Sequence, residues 1–361
     1  MLYLSTDQHI KQLTVNLRDE EGQVLVRRQV STVWDKVRAF FEDLRNRAKD
    51  CGGFMAIVEV CGFNDWLLAM FKEYGCKEVV LIQPRESSRN KTDRRDANRL
   101  GEILWLNRDR LSKGVPVQGL RRIRIVDSVV ADNRRLTVLR IRSTRQQTRT
   151  VNRIKQILRR HNLEQHQPCK GIHTKATQKW LRELSLCEQD RLSMNILLKE
   201  LELFGQHLDQ LDEQIHQRID KCPEAQLLGS ITGGKAGFSA LALASRIVPV
   251  NDFPTARSLA NYFGLTPGCR NSGEATQRLG SITKEGSAIA RYVLGQLVLH
   301  VLKRDPGMRK WHRRIKKRRG SKIARVAVMR RLTVIIWHML KNNVPYRKCC
   351  QAGHPEDGPQ T

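Results

Sequence analysis

Apolar and polar positions alternate along the first 26 residues in the way that half-buried strands require. The alternation covers residues 2–7, 13–17 and 24–26, and the turn residues Glu21 and Gly22 precede the last of these stretches. Three short strands joined by turns predict a meander.

Helical and strand-like patterns then alternate along the chain. Residues 32–49 carry apolar side chains at helical spacing, and the continuous apolar run at 54–60 suits a buried strand. A second helix fits residues 63–75, and a second buried strand fits residues 79–82. A meander followed by alternating strands and helices predicts an α/β domain with a mixed sheet.

From about residue 120 to residue 225 the helical pattern dominates and the strand pattern disappears. Within 197–219 the apolar residues recur at intervals of three and four, which is close to a heptad seam: Leu197, Leu201, Phe204, Leu208, Leu211, Ile215 and Ile219. A seam of this length suits a helical hairpin within one chain and pairing between two chains equally. We therefore predict a helical, coiled-coil-like middle region.

A proline at position 223 and the glycine-containing stretch 228–234 mark a further boundary. Helix and loop patterns then alternate up to a last amphipathic helix, in which Arg325, Arg330 and Arg331 point outward and five apolar residues point inward: Val326, Leu332, Ile335, Ile336 and Met339. The sequence thus predicts an α/β domain at 1–119, a helical basic region at 120–222, a mostly helical domain at 223–348 and a disordered tail at 349–361.

The charge of the chain points to a polyanionic partner. The 361 residues include 65 Lys and Arg against 36 Asp and Glu, a formal net charge of +29. Residues 108–160 hold 16 basic residues against three acids and residues 303–348 hold 17 against one, so the rest of the chain is neutral overall. Such concentration predicts two surfaces that neutralise phosphates, with two solvated helical faces as the alternative.

The cysteine pattern and the hydropathy predict a soluble protein of the cytoplasm. Nine cysteines at irregular spacing, with no CxxC pair and no signal peptide, predict reduced thiols in the cytoplasm. The adjacent Cys349 and Cys350 lack the spaced partner pair that a zinc site would need. No apolar run approaches the roughly 18 residues of a membrane helix, so we expect a soluble chain with no membrane partner.

Four acidic residues have the placement that a magnesium site requires. Asp7 ends the first predicted strand, Glu59 lies in the buried strand, and Asp93 and Asp96 are three residues apart on a predicted helix, so both can face the same ion. Two magnesium ions about 4 Å apart need carboxylates that converge from different elements.

Each acid also has a structural interpretation. Asp7 fits a turn or a cap, Asp93 fits a helix N-cap, and Asp96 fits a first-turn acid favoured by the helix dipole. Glu59 is harder to explain in this way, because a lone carboxylate in an apolar strand is costly unless it is paired or bound to metal.

The segment 91–97, with Asp7 and Glu59 upstream, resembles the signature of the DEDD transposases of insertion sequences, which are relatives of the Piv/MooV DNA invertases. The resemblance implies a ribonuclease-H-like (RuvC-like) first domain. It also implies that Asp7, Glu59, Asp93 and Asp96 bind Mg²⁺, with Mn²⁺ as a substitute.

A second block of this family's pattern lies far downstream. Residues 253–267, followed by 271–273 and 278–286, resemble the family's C-terminal transposase domain, which implies that Ser272 is the nucleophile that joins DNA. Chemistry alone makes Ser272 an ordinary turn serine, and no nearby histidine offers a general base. Activation would then come from the metal site, in another subunit or after domain closure.

The C-terminal region departs from the family pattern at three places. Asn271 stands where many relatives carry a serine, and Ser281 stands where a basic residue is common. Residues 231–241 resemble a helix-hairpin-helix turn that offers backbone N–H groups to phosphate, with Thr232 where proline is common.

These features favour a DNA recombinase that cuts and rejoins strands through a serine-phosphate intermediate. The resemblance further implies double-stranded DNA partners (element ends and target), a non-coding guide RNA, a dimer or tetramer, and a bacterial cytoplasmic, nucleoid-associated location. One alternative is a RuvC-like metal-dependent nuclease that uses water and leaves Ser272 structural. Another is a basic nucleic-acid-binding protein without catalysis.

Overall fold

The computed structural model describes residues 1–83, 93–234, 237–247, 249–269 and 279–346. The chain divides into two compact units, Met1–Val126 and Asp127–Thr361. The three-part division expected from the sequence stays a prediction, and the tail expected at 349–361 lies outside the described residues.

Unit 1 is built around a six-stranded mixed sheet, which confirms the α/β class expected for this part of the chain. The strands are β1 (Leu2–Gln8), β2 (Gln12–Arg18), β3 (Val24–Ser31), β4 (Phe54–Glu59), β5 (Cys76–Ile82) and β6 (Arg122–Ile123). Their order across the sheet is β3-β2-β1-β4-β5-β6. In the centre of the sheet, β1, β4 and β5 run parallel to one another. The β1–β2, β2–β3 and β5–β6 pairs are antiparallel.

Helices cover both faces of this sheet. They are α1 (Trp34–Asp50), α2 (Asp65–Glu73), α3 (Asp93–Leu106) and α4 (Arg108–Ser112). Because side chains alternate along a strand, Leu4 and Val58 join the core under α1 and α2, whereas Tyr3 and Ile57 join the core under α3 and α4. The odd-numbered positions of β1 and β4 therefore face α3.

Helix α3 lies close to the sheet. The Ser5 hydroxyl donates to the Ala97 carbonyl at 2.6 Å, and the Arg18 guanidinium donates to Asn98 Oδ1 at 3.0 Å. A Cβ atom added at Gly101 would stand 2.7 Å from Asn16 Oδ1. Glycine at position 101 therefore allows the backbone of α3 to approach β1 and β2.

Unit 2 is mostly helical, as expected for the middle and C-terminal parts of the chain. Its helices are α5 (Ser128–Arg160), α6 (Lys175–Glu183), α7 (Glu188–Asp220), α8 (Pro223–Gly229), α9 (Phe238–Ile247), α10 (Ala256–Tyr262), α11 (Ala288–Arg304), α12 (Pro306–Arg319) and α13 (Ser321–Asn342). A two-stranded antiparallel sheet of β7 (Pro267–Cys269) and β8 (Leu279–Ile282) interrupts them. The sequence pattern did not predict these strands, because three or four residues are too few to show an alternation.

The long helices α5 and α7, of 33 residues each, pack together in antiparallel orientation. Arg218 near the end of α7 donates to Asn133 near the start of α5 at 3.0 Å. Arg140 donates to both carboxylate oxygens of Asp212, at 2.8 and 2.9 Å, and Thr150 donates to Glu200 at 3.1 Å.

The predicted heptad seam of α7 thus packs within the chain. Leu197 and Leu201 are buried in one cluster and Ile215 and Ile219 in another. The middle residues of the seam are half-buried, including Phe204. The structure therefore favours the intrachain hairpin for both ends of the seam, whereas pairing between chains stays a prediction.

Helix α9 lies in the centre of the larger core, and two arginines bind its C-terminal end. Arg246 donates to the Ala242 carbonyl and Arg134 to the Ser245 carbonyl, each at 2.7 Å. Burial, with a smaller contribution from the neighbouring Arg134 charge, lowers the pKa of Arg246 to about 10. Both arginines remain protonated at neutral pH, where cations stabilise a helix C-terminus.

Among the described residues, no helix is both long enough and apolar enough to cross a membrane.

We expect Gly101→Ala to destabilise the protein, because the new methyl group would collide with Asn16 and Ser5 and push α3 from the sheet. Gly205→Ala in the interior of α7 is the matched control, since nothing lies within 4 Å of its added Cβ. That control should gain up to about 1 kcal/mol from helix propensity. Thermal unfolding monitored by circular dichroism compares the two, and equal midpoints would contradict the close docking of α3.

Candidate metal and nucleic-acid sites

Asp7 and Glu59 lie side by side at one edge of the sheet. The parallel strands β1 and β4 are in register up to the pair Thr6 and Val58, and the two acids directly follow this pair. Glu59 is the last residue of β4, not an interior position as the apolar run suggested. The side chains are only 15% (Asp7) and 18% (Glu59) exposed.

Alternation along the strands directs both acids to the same face. Asp7 is in phase with Tyr3, and Glu59 is in phase with Ile57, which both pack in the core under α3. The acidic edge therefore lies on the side of the sheet that α3 covers.

Helix α3 carries Asp96 on the face of the sheet that holds both acids. Asp96 precedes Ala97, whose carbonyl accepts the Ser5 hydroxyl, and Arg99 one turn later places its Nη2 atom 3.9 Å from Glu59 Oε1. Asp96 is half-buried, and its Oδ2 atom is inaccessible to solvent. Asp93 is the first residue of α3, and its side chain lies outside the described part of the structure.

The acids have polar neighbours that the sequence reasoning missed. His9 Nε2 lies 3.1 Å from Asp7 Oδ2. Asn64 donates to Gln8 Oε1 at 2.8 Å and to the Glu59 carbonyl at 3.0 Å, which ties the loop after β4 to the end of β1. His9 could have been found by its position two residues after the strand acid.

The donor set of this edge fits Mg²⁺. All three described acids offer carboxylate oxygens, the ligands that hard divalent cations prefer, and they come from two strands and one helix. The three carboxylates do not all lie within 4.8 Å of one another.

The second candidate site, around Ser272, is described only at its borders. The paired ends of β7 and β8 are Cys269 and Leu279, and residues 270–278, which include Asn271 and Ser272, lie outside the described residues. Ser281 is in β8.

The base of this strand pair is tightly packed. Gly264 and Gly286 have φ angles of 63° and 71°, and an added Cβ at either position would collide with backbone atoms. Arg291 donates to the carbonyl of Glu285 at 2.8 Å and to that of Phe263 at 3.0 Å. The segment that carries Ser272 therefore leaves from a firmly held base.

The turn at 231–241 is held by a hydrogen bond from α11. It connects α8 to α9, and Gly233 adopts a left-handed conformation with φ 93°. Arg304 donates to the carbonyl of Thr232 at 2.9 Å. Residues 235 and 236 lie outside the described residues, so phosphate binding by this turn stays a prediction.

The two basic segments form helical surfaces. On α5, exposed arginines recur at intervals of three and four, which places them on one face of the helix: Arg142, Arg145, Arg149 and Arg153. Helix α12 carries eight Lys and Arg and no acid in 14 residues, and most of these side chains are exposed. Both surfaces have the charge density that suits a phosphate backbone.

Two family models match the chain, at separate places. Residues 5–163 match the model of the DEDD transposases of the IS110 type, and residues 225–313 match the model described as "Transposase IS116/IS110/IS902 family". The first match includes all four predicted acids, and the second includes Ser272.

Curated relatives agree with these matches. The chain is 24% identical over 339 residues to a transposase for the insertion sequence element IS1111A of Coxiella burnetii, which covers 91% of this chain and 86% of that protein. It is 30% identical over 146 residues to pilin gene-inverting proteins of Moraxella lacunata and Moraxella bovis. In both cases the match covers 39% of this chain and 45% of the relative.

We expect the paired substitution Arg313→Gln and Lys317→Gln on α12 to weaken DNA binding and to reduce its salt dependence. Each lost phosphate contact lowers the slope of log K against log salt by about 0.9, so removing two predicts a change of about 1.8. Fluorescence anisotropy with duplex DNA at several salt concentrations measures the slope.

The control is Lys199→Gln with Lys221→Gln, which removes two exposed cations on and directly after the acid-rich helix α7. Equal slopes for the two double variants would show that α12 does not contact the phosphates.

Proposed function

Because the chain belongs to the IS110/IS116/IS902 family of transposases, enzymes that cut and rejoin DNA, we propose that it recombines DNA through a covalent serine-phosphate intermediate. In this proposal Ser272 is the nucleophile, and Asp7, Glu59, Asp93 and Asp96 hold divalent metal.

The observation that supports the proposal is that Asp7 and Glu59 lie side by side at one edge of the sheet, on the face that α3 covers. Asp7 and Glu59 follow a paired position of neighbouring parallel strands, and Arg99, one turn after Asp96, approaches Glu59. A structural interpretation of each acid alone does not explain why two acids end neighbouring strands on the face that a third acid, on α3, also approaches. The arrangement supports a ribonuclease-H-like domain for unit 1.

The proposed step conserves atoms and charge. The Ser272 oxygen attacks the scissile phosphorus and forms a P–O bond while the bond to one sugar oxygen breaks. The serine proton goes to a base or to solvent, and the departing sugar oxygen takes up a proton. Attack by a sugar hydroxyl of another DNA end on the serine-linked phosphate reverses these changes and joins the strands.

Bound Mg²⁺, or Mn²⁺ in its place, would supply charge stabilisation for the phosphate oxygens and orient the scissile group. The residues of this chain have distinct tasks around it. Asp7, Glu59 and Asp96 would supply oxygen ligands, while His9 beside Asp7 and Arg99 beside Glu59 would orient those carboxylates.

We also propose that a non-coding RNA takes part, together with double-stranded DNA and a second copy of the chain. The separation of the basic charge into an α5 surface and an α12 surface supports two nucleic-acid contacts. Recombination with transcripts of the DNA that flanks the gene, with and without ribonuclease, tests the RNA. Activity that survives complete removal of RNA would refute guidance.

Ser272→Ala should abolish strand joining and the covalent protein–DNA adduct, while DNA affinity stays within about twofold, because only the attacking oxygen is lost. Denaturing gel electrophoresis of the protein on a nicked, labelled substrate detects the adduct. The adjacent Asn271→Ala is the control and should keep the adduct.

The alternative of a water-using nuclease predicts a different product. Ser272→Ala would then leave free 5′-phosphate ends at the unchanged rate, and no adduct would form with either protein. That result would overturn the serine mechanism and leave the metal site intact.

Glu59→Gln should lower strand cleavage by at least about 100-fold, because an amide cannot replace the carboxylate in metal binding, which contributes several kcal/mol. Glu102→Gln, an exposed position on α3, is the control and should keep full activity. Cleavage assays across a Mg²⁺ titration compare the two. Unchanged cleavage by Glu59→Gln would place catalysis elsewhere, and no cleavage by either protein would leave the chain as a binding protein.

A further inference from the structure

Three potential metal ligands meet where α5 ends and α7 begins. His161 follows the last residue of α5, Cys187 is the N-cap residue of α7, and Asp190 lies in the first turn of α7. One ligand atom from each residue lies within 4.8 Å of the others. The acids and the serine discussed above are not part of this cluster.

The three side chains are directed at one another. His161 Nε2 lies 2.7 Å from Asp190 Oδ2, and Cys187 Sγ lies 3.5 Å from the same oxygen. The side chain of Asp190 is only 6% exposed, whereas Cys187 is exposed and the His161 side chain is 28% exposed. The cluster is thus anchored on a buried carboxylate and open to solvent on its sulfur side.

From this geometry we propose that His161, Cys187 and Asp190 form a binding site for a zinc-like divalent cation. Nitrogen, sulfur and oxygen are the three ligand types of protein zinc sites. Cys187 and Asp190 are separated by two residues, a spacing that is common for ligand pairs in such sites. The fourth position of a tetrahedral site would be taken by water on the exposed side.

The distances fit a tetrahedral ion with small adjustments. A zinc–sulfur bond of about 2.3 Å and a zinc–oxygen bond of about 2.0 Å place the two ligands about 3.5 Å apart, as observed for Cys187 and Asp190. Nitrogen and oxygen ligands should be about 3.3 Å apart. His161 and Asp190 are 2.7 Å apart, so ion binding would separate them by roughly half an ångström and replace their hydrogen bond.

Arg160 would hold the carboxylate in place. Its Nη1 atom lies 2.5 Å from Asp190 Oδ1, the oxygen that does not face His161. A partner on the second carboxylate oxygen is a common way of fixing the orientation of a metal ligand. Asp190 would therefore bind the ion through Oδ2, while its Oδ1 accepts the hydrogen bond from Arg160.

The position of the cluster explains what the ion would stabilise. The nearby ends of α5 and α7 enclose a small core separate from the main core of unit 2, built from Ile154, Ile157, Leu158, Ile172, Leu181, Met194, Leu197, Leu198 and Leu201. A core of this size gains much from a cross-link between the two helix ends. The cation would provide that cross-link without a disulfide.

Cobalt substitution tests the proposal. The full-length protein is stripped with chelator and titrated with Co²⁺, whose thiolate complexes absorb strongly, and then with Zn²⁺. We expect one thiolate-bound Co²⁺ per chain, displaced by Zn²⁺, and a higher melting temperature with Zn²⁺. The acidic edge of unit 1 also has a histidine, His9, and a thiol, Cys61 beside Gln8, so a variant of Cys187 is needed to assign the band to its site.

Two single variants make the outcome decisive. Cys187→Ser should lose the thiolate band and the Zn²⁺-dependent rise in melting temperature, and it should still fold because serine is a favoured N-cap residue. Cys169→Ser is the control, since Cys169 is also exposed but lies outside the cluster, and it should keep both signals. A wild-type protein without the band, or a band that survives in Cys187→Ser, would overturn the proposal.

Discussion

The candidate active site depends on the close packing of α3 against the sheet. The hydrogen bond from Ser5 to the Ala97 carbonyl and the absence of a side chain at Gly101 fix how near the helix lies to β1 and β2. This packing sets the position of Asp96, one residue before Ala97. The candidate metal site thus depends on packing contacts of Ser5 and Gly101, which take no part in the proposed chemistry.

Electrostatics explains the remainder of the arrangement. Carboxylates that converge on one edge repel one another, and His9 beside Asp7 and Arg99 beside Glu59 offset part of that cost. A protein that needed only a stable fold would gain by placing fewer acids there. The proposed zinc-type cluster follows a different logic, since nitrogen, sulfur and oxygen ligands with an arginine behind them join two helix ends.

Much of the fold and part of the site could be predicted from the pattern of residues. The alternation in residues 2–7 and the apolar run at 54–60 identified β1 and β4, because burial on a sheet imposes a period of two or a continuous apolar stretch. The two-residue β6 and the β7–β8 pair are too short to leave such a pattern. The His161, Cys187 and Asp190 cluster was also missed, because 29 residues separate His161 from Asp190 in the sequence.

By itself, the sequence determined the α/β character of the first part, the helical character of the rest, the two basic segments and the identity of the acids as candidates. The first three follow from local periodicity and charge, whereas the acids became a set largely through the resemblance to a known family. Only the tertiary structure decided that Glu59 ends its strand beside Asp7, that α3 packs on the same face of the sheet, and that α7 packs on α5 in the same chain. Strand register and helix docking arise from contacts between distant residues, and no local pattern contains them.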